Sequence, residues 1–214
     1  MTEFKRVTKK YGDKVVFKDF DLEIKDGEIT AILGENGSGK TTLLKMLAGI
    51  TDYEGEIIAC DRAAFVFQED RLVKNLTVEQ NILLVAPAAD SDALLIKFGL
   101  SGYGKRYIKE LSGGERRKVA IIRALACSSP LLIMDEPFSS VDVSTKRKFM
   151  DVILKEREDK KNTVVIITHD IFEASDFADR VVVLSGGKIV FDKRDFDRTG
   201  IREEIYSILS KRPN

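Results

Sequence analysis

The sequence predicts an α/β protein built on a mostly parallel sheet. Three observations carry this reading. Strand-like and helix-like segments alternate from Ser112 to Leu184, the pattern that lays helices over the faces of a parallel sheet. A glycine-rich segment, Gly34 to Thr41, sits between an apolar strand and a helical stretch. Two further apolar strands run straight into polar residues, Leu131–Met134 into Asp135-Glu136 and Val164–Thr168 into His169. In an open parallel sheet, ligands gather at such carboxyl ends.

The elements follow in order. Phe20, Leu22 and Ile24 alternate with Asp21, Glu23 and Lys25, which marks a half-buried strand. Asp26-Gly27 is a turn signal, and Glu28 to Leu33 reads as a buried strand. The helix Thr41 to Ala48 has Gly49 as its stop. Gly55–Ala59 and Ala63–Phe67 are two more short strands. Thr77-Val78-Glu79-Gln80 has capping-box spacing and opens a helix that Ala86-Pro87 breaks. Asp92 to Phe98 is a second helical piece, so about residues 71–110 form a small helical insertion. Then come a helix from Ser112, strand Leu131–Met134, helix Ser144–Glu158, strand Thr163–Thr168, helix Asp170–Ala178 and strand Arg180–Leu184. Gly186-Gly187 turns into Lys188–Phe191, and Arg202 to Ser210 forms a last helix with Ile205, Ile208 and Leu209 inward.

Length and composition narrow the classes. A chain of 214 residues suits one domain with a sizeable core. Basic and acidic residues balance at 35 each, so no overall field favours nucleic acid, and none is expected as a partner. Cys60 and Cys127 lie in no metal or redox spacing and read as reduced, buried thiols of a cytosolic protein. No apolar run approaches the roughly 18–20 residues of a membrane-spanning helix, and the N-terminus is charged within a few residues rather than signal-like.

Gly34-Glu35-Asn36-Gly37-Ser38-Gly39-Lys40-Thr41 fits G-x-x-x-x-G-K-[ST], in the strand-to-helix context that supports such a match over a chance glycine turn. The glycines let backbone N–H groups turn inward as an anion nest. The helix N-terminus adds partial positive charge. Lys40 can neutralise β- and γ-phosphates, and the Thr41 hydroxyl can ligate Mg²⁺. Asp135, at its strand's carboxyl end, can hold Mg²⁺, and Glu136 can polarise an attacking water; alone, the pair would read equally as a solvated strand end. His169 is the only histidine. A lone histidine is usually structural, but its place on the same edge as Asp135 suits contact with a γ-phosphate.

Between these motifs stands Leu111-Ser112-Gly113-Gly114-Glu115. Ser112 is a good N-cap and Glu115 stands three positions later, which makes a second capping-box pattern. With the phosphate loop upstream and the acidic strand downstream, this pentapeptide makes the whole chain resemble the ATP-binding cassette (ABC) ATPases, with the motifs in family order. The resemblance implies a P-loop NTPase core of residues 1–70 and 111–214, an N-terminal antiparallel β subdomain, and the 71–110 insertion continuing into the signature helix, all in one domain, 1–214. It implies that Tyr11 stacks on adenine and that Gly34, Asn36, Gly37, Ser38, Gly39, Lys40, Thr41 and Thr42 hold ATP. It implies Mg²⁺ at Thr41, Gln68 and Asp135, and catalysis by Glu136, His169, Gln68 and Lys40. Ser112, Gly113 and Gly114 would act in trans, on the nucleotide of a second copy in a head-to-tail sandwich dimer. Ser139-Ser140-Val141-Asp142 resembles the loop that signals between the two sites.

Two departures stand out. Glu115 occupies a position where the family commonly has Gln, and its carboxylate must be held by its own helix end or by neighbours such as Arg116 and Arg117. Phe138 replaces a small polar residue. The expected role is an ATPase subunit powering import through separate transmembrane permease subunits, with a solute-binding protein as a further partner. It would sit in the cytoplasm on the inner face of the membrane. Phe67–Leu72 and Ala178–Ser185 look most like bacterial importers of the nitrate, sulfonate and taurine type. The alternative is a soluble ABC-type clamp, such as an iron–sulfur assembly ATPase.

Overall fold

The computed structural model describes residues 1–139, 141 and 143–210. Ser140 and Asp142 of the expected signalling loop lie outside the described residues.

The chain opens with antiparallel β1 (Thr2–Tyr11) and β2 (Lys14–Ile24). The sequence pattern marks only the Phe20–Ile24 end of this pair. Positive φ at Arg6 and Asp19 (46° and 47°), with three register shifts, breaks the period-two alternation. Phe4 and Val7 are therefore both buried although three positions apart. β3 (Ile29–Gly34) is buried throughout and delivers the chain to α1 (Lys40–Leu47). β4 (Glu54–Ile58) returns to the first sheet, which has the order β2-β1-β4.

β5 (Ala63–Val66) is an edge of the second sheet. The 71–110 segment holds α2 (Val78–Leu83), α3 (Ser91–Lys97) and a 3-10 turn, Ile108–Glu110. The Thr77–Gln80 capping box forms, with Thr77 N donating to Gln80 Oε1 at 2.9 Å and Gln80 N to Thr77 Oγ1 at 3.2 Å. α4 (Gly113–Ala126) follows, then β6 (Leu131–Asp135), α5 (Val143–Lys160) and β7 (Thr163–Thr168). After α6 (Ile171–Phe177) come β8 (Arg180–Ser185), β9 (Lys188–Arg194) and α7 (Arg198–Ser210). The second sheet has the order β5-β6-β7-β3-β8-β9, parallel except for β9.

Strand alternation divides the core. Leu132, Met134, Val164 and Ile166 face α4, α5 and the insertion. Leu131, Ile133, Val165 and Ile167 face α1 and the antiparallel sheet. α7 starts four residues before its expected N-terminus, so Ile201 joins Ile205 in the core, while Ile208 and Leu209 are half-buried. Cys60 and Cys127, expected buried, are free and half-buried. Among the described residues no helix is long and apolar enough to cross a membrane.

The β8–β9 hairpin touches both the antiparallel sheet and the glycine loop. Gly187 N donates to Ser38 O at 3.3 Å, and its φ is +72°. A Cβ there would lie 1.8 Å from Val16 O. Gly187→Ala should therefore cost about 1–3 kcal/mol by forcing β2 and the hairpin apart. Denaturant unfolding measures this, and an unchanged midpoint would show that the two elements separate freely.

Candidate functional site

The parallel sheet converges on a cavity of about 390 Å³ at the carboxyl ends of its strands. Gly34 ends β3, and the loop reverses through Gly37 (φ 84°) and Gly39 (φ 109°) into α1. A Cβ on Gly39 would press 2.6 Å from the Phe17 ring, so only glycine fits between loop and antiparallel sheet. Lys40 Nζ donates to Gly34 O at 2.5 Å and Glu35 O at 2.9 Å, with 7% of the residue exposed. Burial pushes its pKa below the ordinary lysine value, against the pull of Glu136, Asp135 and Glu35. Ser38 Oγ is the one buried side-chain oxygen or nitrogen, among the described residues, without a hydrogen-bond partner. A buried cation, an orphaned hydroxyl and a helix N-terminus together fit a polyphosphate.

Asp135 ends β6 and is 4% exposed. Burial raises its pKa, the neighbouring Glu136 charge adds to this, and Lys40 and Arg117 oppose it. Thr41, Gln68 and Asp135 offer hard oxygen donors on the cavity, a donor set that suits Mg²⁺.

Glu136 has φ +47°, a left-handed conformation that costs a non-glycine residue about 1–3 kcal/mol. Its N–H donates to Ile167 O at 2.8 Å, and its carboxylate lies 2.8 Å from His169 Nδ1. The backbone on either side of His169 is anchored from behind. Thr168 Oγ1 donates to the buried Glu173 at 2.6 Å and accepts from Asp170 N at 3.1 Å. Lys146 bridges Asp170 and Glu173 at 2.8 and 2.6 Å. The imidazole itself is 69% exposed.

Of the residues singled out from sequence, Tyr11, Asn36, Gly37, Gly39, Lys40, Thr41, Thr42, Gln68, Asp135 and Glu136 line this cavity. Gly34 and Ser38 are buried in the loop and are not among the lining residues, and His169 reaches the cavity through Glu136. Ser112, Gly113 and Gly114 do not line it; Ser112 and Gly113 stand exposed at the start of α4. Lys14, Val15, Val16, Gly186 and Gly187 also line the cavity and escaped the sequence reading. Gly186-Gly187 is legible as a turn, but nothing local says where the turn lands.

Of the two holders expected for the Glu115 carboxylate, its own helix end is the one that holds it, and the neighbouring arginines are not. Ser112 N donates to Glu115 Oε2 at 2.8 Å, and Glu115 N donates to Ser112 Oγ at 3.3 Å, so the capping box forms. The remaining oxygen accepts from Tyr103 Oη at 2.7 Å, a partner supplied by the insertion. Arg116 and Arg117 do not answer this charge. Arg116 Nη1 donates to Leu111 O at 2.7 Å. Arg117 is 3% exposed and spends its N–H groups on backbone carbonyls of Pro137, Phe67, Gln68, Asp135 and Glu136.

Fold and cavity define a nucleotide-binding α/β protein of the phosphate-loop class. Comparison with known proteins narrows the class. The model of the family described as ABC transporter matches residues 17–139. The chain is similar to the sulfate/thiosulfate import ATP-binding protein CysA of Synechocystis sp., with 38% identity over 94% of this chain and 60% of that protein. It is similar to the aliphatic sulfonates import ATP-binding protein SsuB 1 of Paracoccus denitrificans, with 36% identity over 89% of this chain and 81% of that one. Among solved structures, a dimeric ATP-binding cassette in a post-hydrolysis state with ADP and phosphate superposes with TM-score 0.82 at 30% identity, covering 91% of this chain and 98% of that one. The chain belongs to the ABC transporter family of ATP-binding proteins.

The Tyr103 hydroxyl first, and the Ser112 amide second, hold the Glu115 carboxyl down from 4.5 to about 2. The folded value lies below the unfolded one. Its stabilisation is therefore complete above about pH 4.5 and is lost as pH falls toward 2. Glu115→Gln should be less stable than the parent at neutral pH, and the gap should narrow below pH 4.5. Thermal unfolding across pH reads this, and a gap unchanged down to pH 3 would refute the assignment.

Proposed function

We propose that this chain is the ATP-hydrolysing subunit of an ABC importer, acting as two copies closed head to tail around two ATP molecules. The observation that carries the reading is the Glu136–His169 contact of 2.8 Å at the mouth of a cavity walled by Lys40 and Asp135. Tyr11 offers an exposed aromatic face for adenine at the cavity's far end. The loop amides, Ser38, Lys40 and Thr42 take the phosphates. Thr41, Gln68 and Asp135 would hold Mg²⁺, which when bound offsets charge between the phosphates.

Glu136 orients water and accepts its proton, and His169 steadies that carboxylate. Gln68 stands at the end of β5, where nucleotide binding can be relayed to a docked permease. Ser112 and the glycines of α4 complete the site of the opposite copy by presenting a hydroxyl and a helix N-terminus to its γ-phosphate. Closure by ATP and release by hydrolysis make a ligand-driven population shift. Residues 1–70 and 111–214 then act as the core, and the 71–110 insertion as the arm that faces transmembrane permease subunits. The names of the sulfate and sulfonate import relatives support a sulfur oxyanion as solute, captured by a separate solute-binding protein. The working location is the cytoplasmic face of the cell membrane, through those permeases.

Glu136→Gln should bind ATP as the parent does, lose about 10²–10⁴-fold in turnover, and accumulate as an ATP-bound dimer. Phosphate release and size-exclusion chromatography test this, and hydrolysis at the parental rate would overturn the catalytic role.

A further inference from the structure

The guanidinium of Arg117 is satisfied to the last proton by main chain. Nε donates to Pro137 O at 2.9 Å. Nη2 donates to Asp135 O at 2.7 Å and Glu136 O at 2.9 Å. Nη1 donates to Phe67 O and, at 3.3 Å, to Gln68 O. Those carbonyls take all five N–H donors that an arginine owns. The nearest carboxylate, Asp70, stands 3.6 Å away and meets the charge only in part. Two loops converge on this one group: the end of β5 with Gln68, and the Asp135–Pro137 segment that follows β6. Neither loop makes a sheet hydrogen bond to the other at these positions.

Glu136 is the strained residue of that second loop, with φ +47°. A left-handed non-glycine residue persists only where its surroundings over-determine it. Its own carbonyl and those on both sides are taken by Arg117, and its N–H by Ile167 O. A second arginine of α4 extends the grip. Arg123 donates to Arg71 O at 2.8 Å and Asp70 O at 3.2 Å. The helix that starts at Ser112 is thereby fastened to both loops.

We propose that Arg117 is a positioning residue for hydrolysis: it holds the Glu136 backbone in its left-handed conformation and locks it to the Gln68 loop. The proposal rests on the reading of Glu136 as the group that activates water. Lysine cannot substitute, because a single ammonium with three donors cannot span five carbonyls arranged around a planar fork.

The test is a cycle of single-turnover ATP hydrolysis by the full chain as parent, Arg117→Gln, Glu136→Gln and the double variant. Arg117→Gln should bind ATP with parental affinity and lose about 10²-fold in the hydrolytic rate, the scale of a small misplacement of a catalytic group. In the Glu136→Gln background the same change should cost nothing further, because the group it positions is already gone. Equal losses in both backgrounds, or weakened ATP binding, would overturn the proposal and leave Arg117 a structural residue. Arg117→Lys keeps size and charge, so it guards against a misfolded glutamine variant. It too should retain ATP binding and lose rate, and a parental rate would refute the proposal. Failure of the underlying reading shows separately, as Glu136→Gln alone hydrolysing at the parental rate.

Discussion

Lys40 carries its charge at the carboxyl edge of a parallel sheet, where its immediate acceptors are two backbone carbonyls. Taking an ammonium out of water costs several kcal/mol unless other groups replace its hydration. The rest of the site can be read as the replacement. The loop turns through left-handed glycines so that its carbonyls reach the ammonium. β6 ends at that point so that Asp135 and Glu136 stand within its field. Burial of Asp135 raises the cost of a carboxylate there and pushes its pKa up. Cation and acids are tolerable only as a set.

What could be read from the sequence was whatever depends on near neighbours. Both serine and threonine capping boxes formed, because their partners lie three residues away. The apolar strands β3, β6 and β7 were legible because a strand buried on both faces needs no pattern other than an unbroken apolar run. The phosphate loop was legible because its backbone conformations demand glycines at fixed spacing. β1 was not, because its register shifts against β2, with positive φ at Arg6 on one strand and Asp19 on the other, move the buried positions out of phase. The role of Arg117 was not legible for a different reason. A charged residue beside Glu115 in sequence suggests a local ion pair, whereas its acceptors lie up to 50 residues away. Tyr103 as the partner of Glu115 was likewise invisible, since nothing in the insertion's own pattern says which helix end it will touch.

α4 therefore has two distinct jobs along one axis. Its N-terminus is held by a cap that draws on the insertion through Tyr103. Its body is rooted by Arg117 and, two turns further on, Arg123 in the loops that follow β5 and β6. The residues of 71–110 and those two loops are thus attached to one helix.

The place of β3 in the sheet has a consequence for how the protein is made. β3 leaves the ribosome before its two hydrogen-bonded neighbours, β7 and β8, which lie more than a hundred residues later in the chain. Until they emerge, the strand that supports the glycine loop has both edges unpaired. The hairpin amide that reaches Ser38 comes later still. Pairings between such distant segments are slow to close. The phosphate cradle is thus encoded well before the strands and the hairpin amide that support it, and the glycine loop gains its full backing only once those later segments are in place.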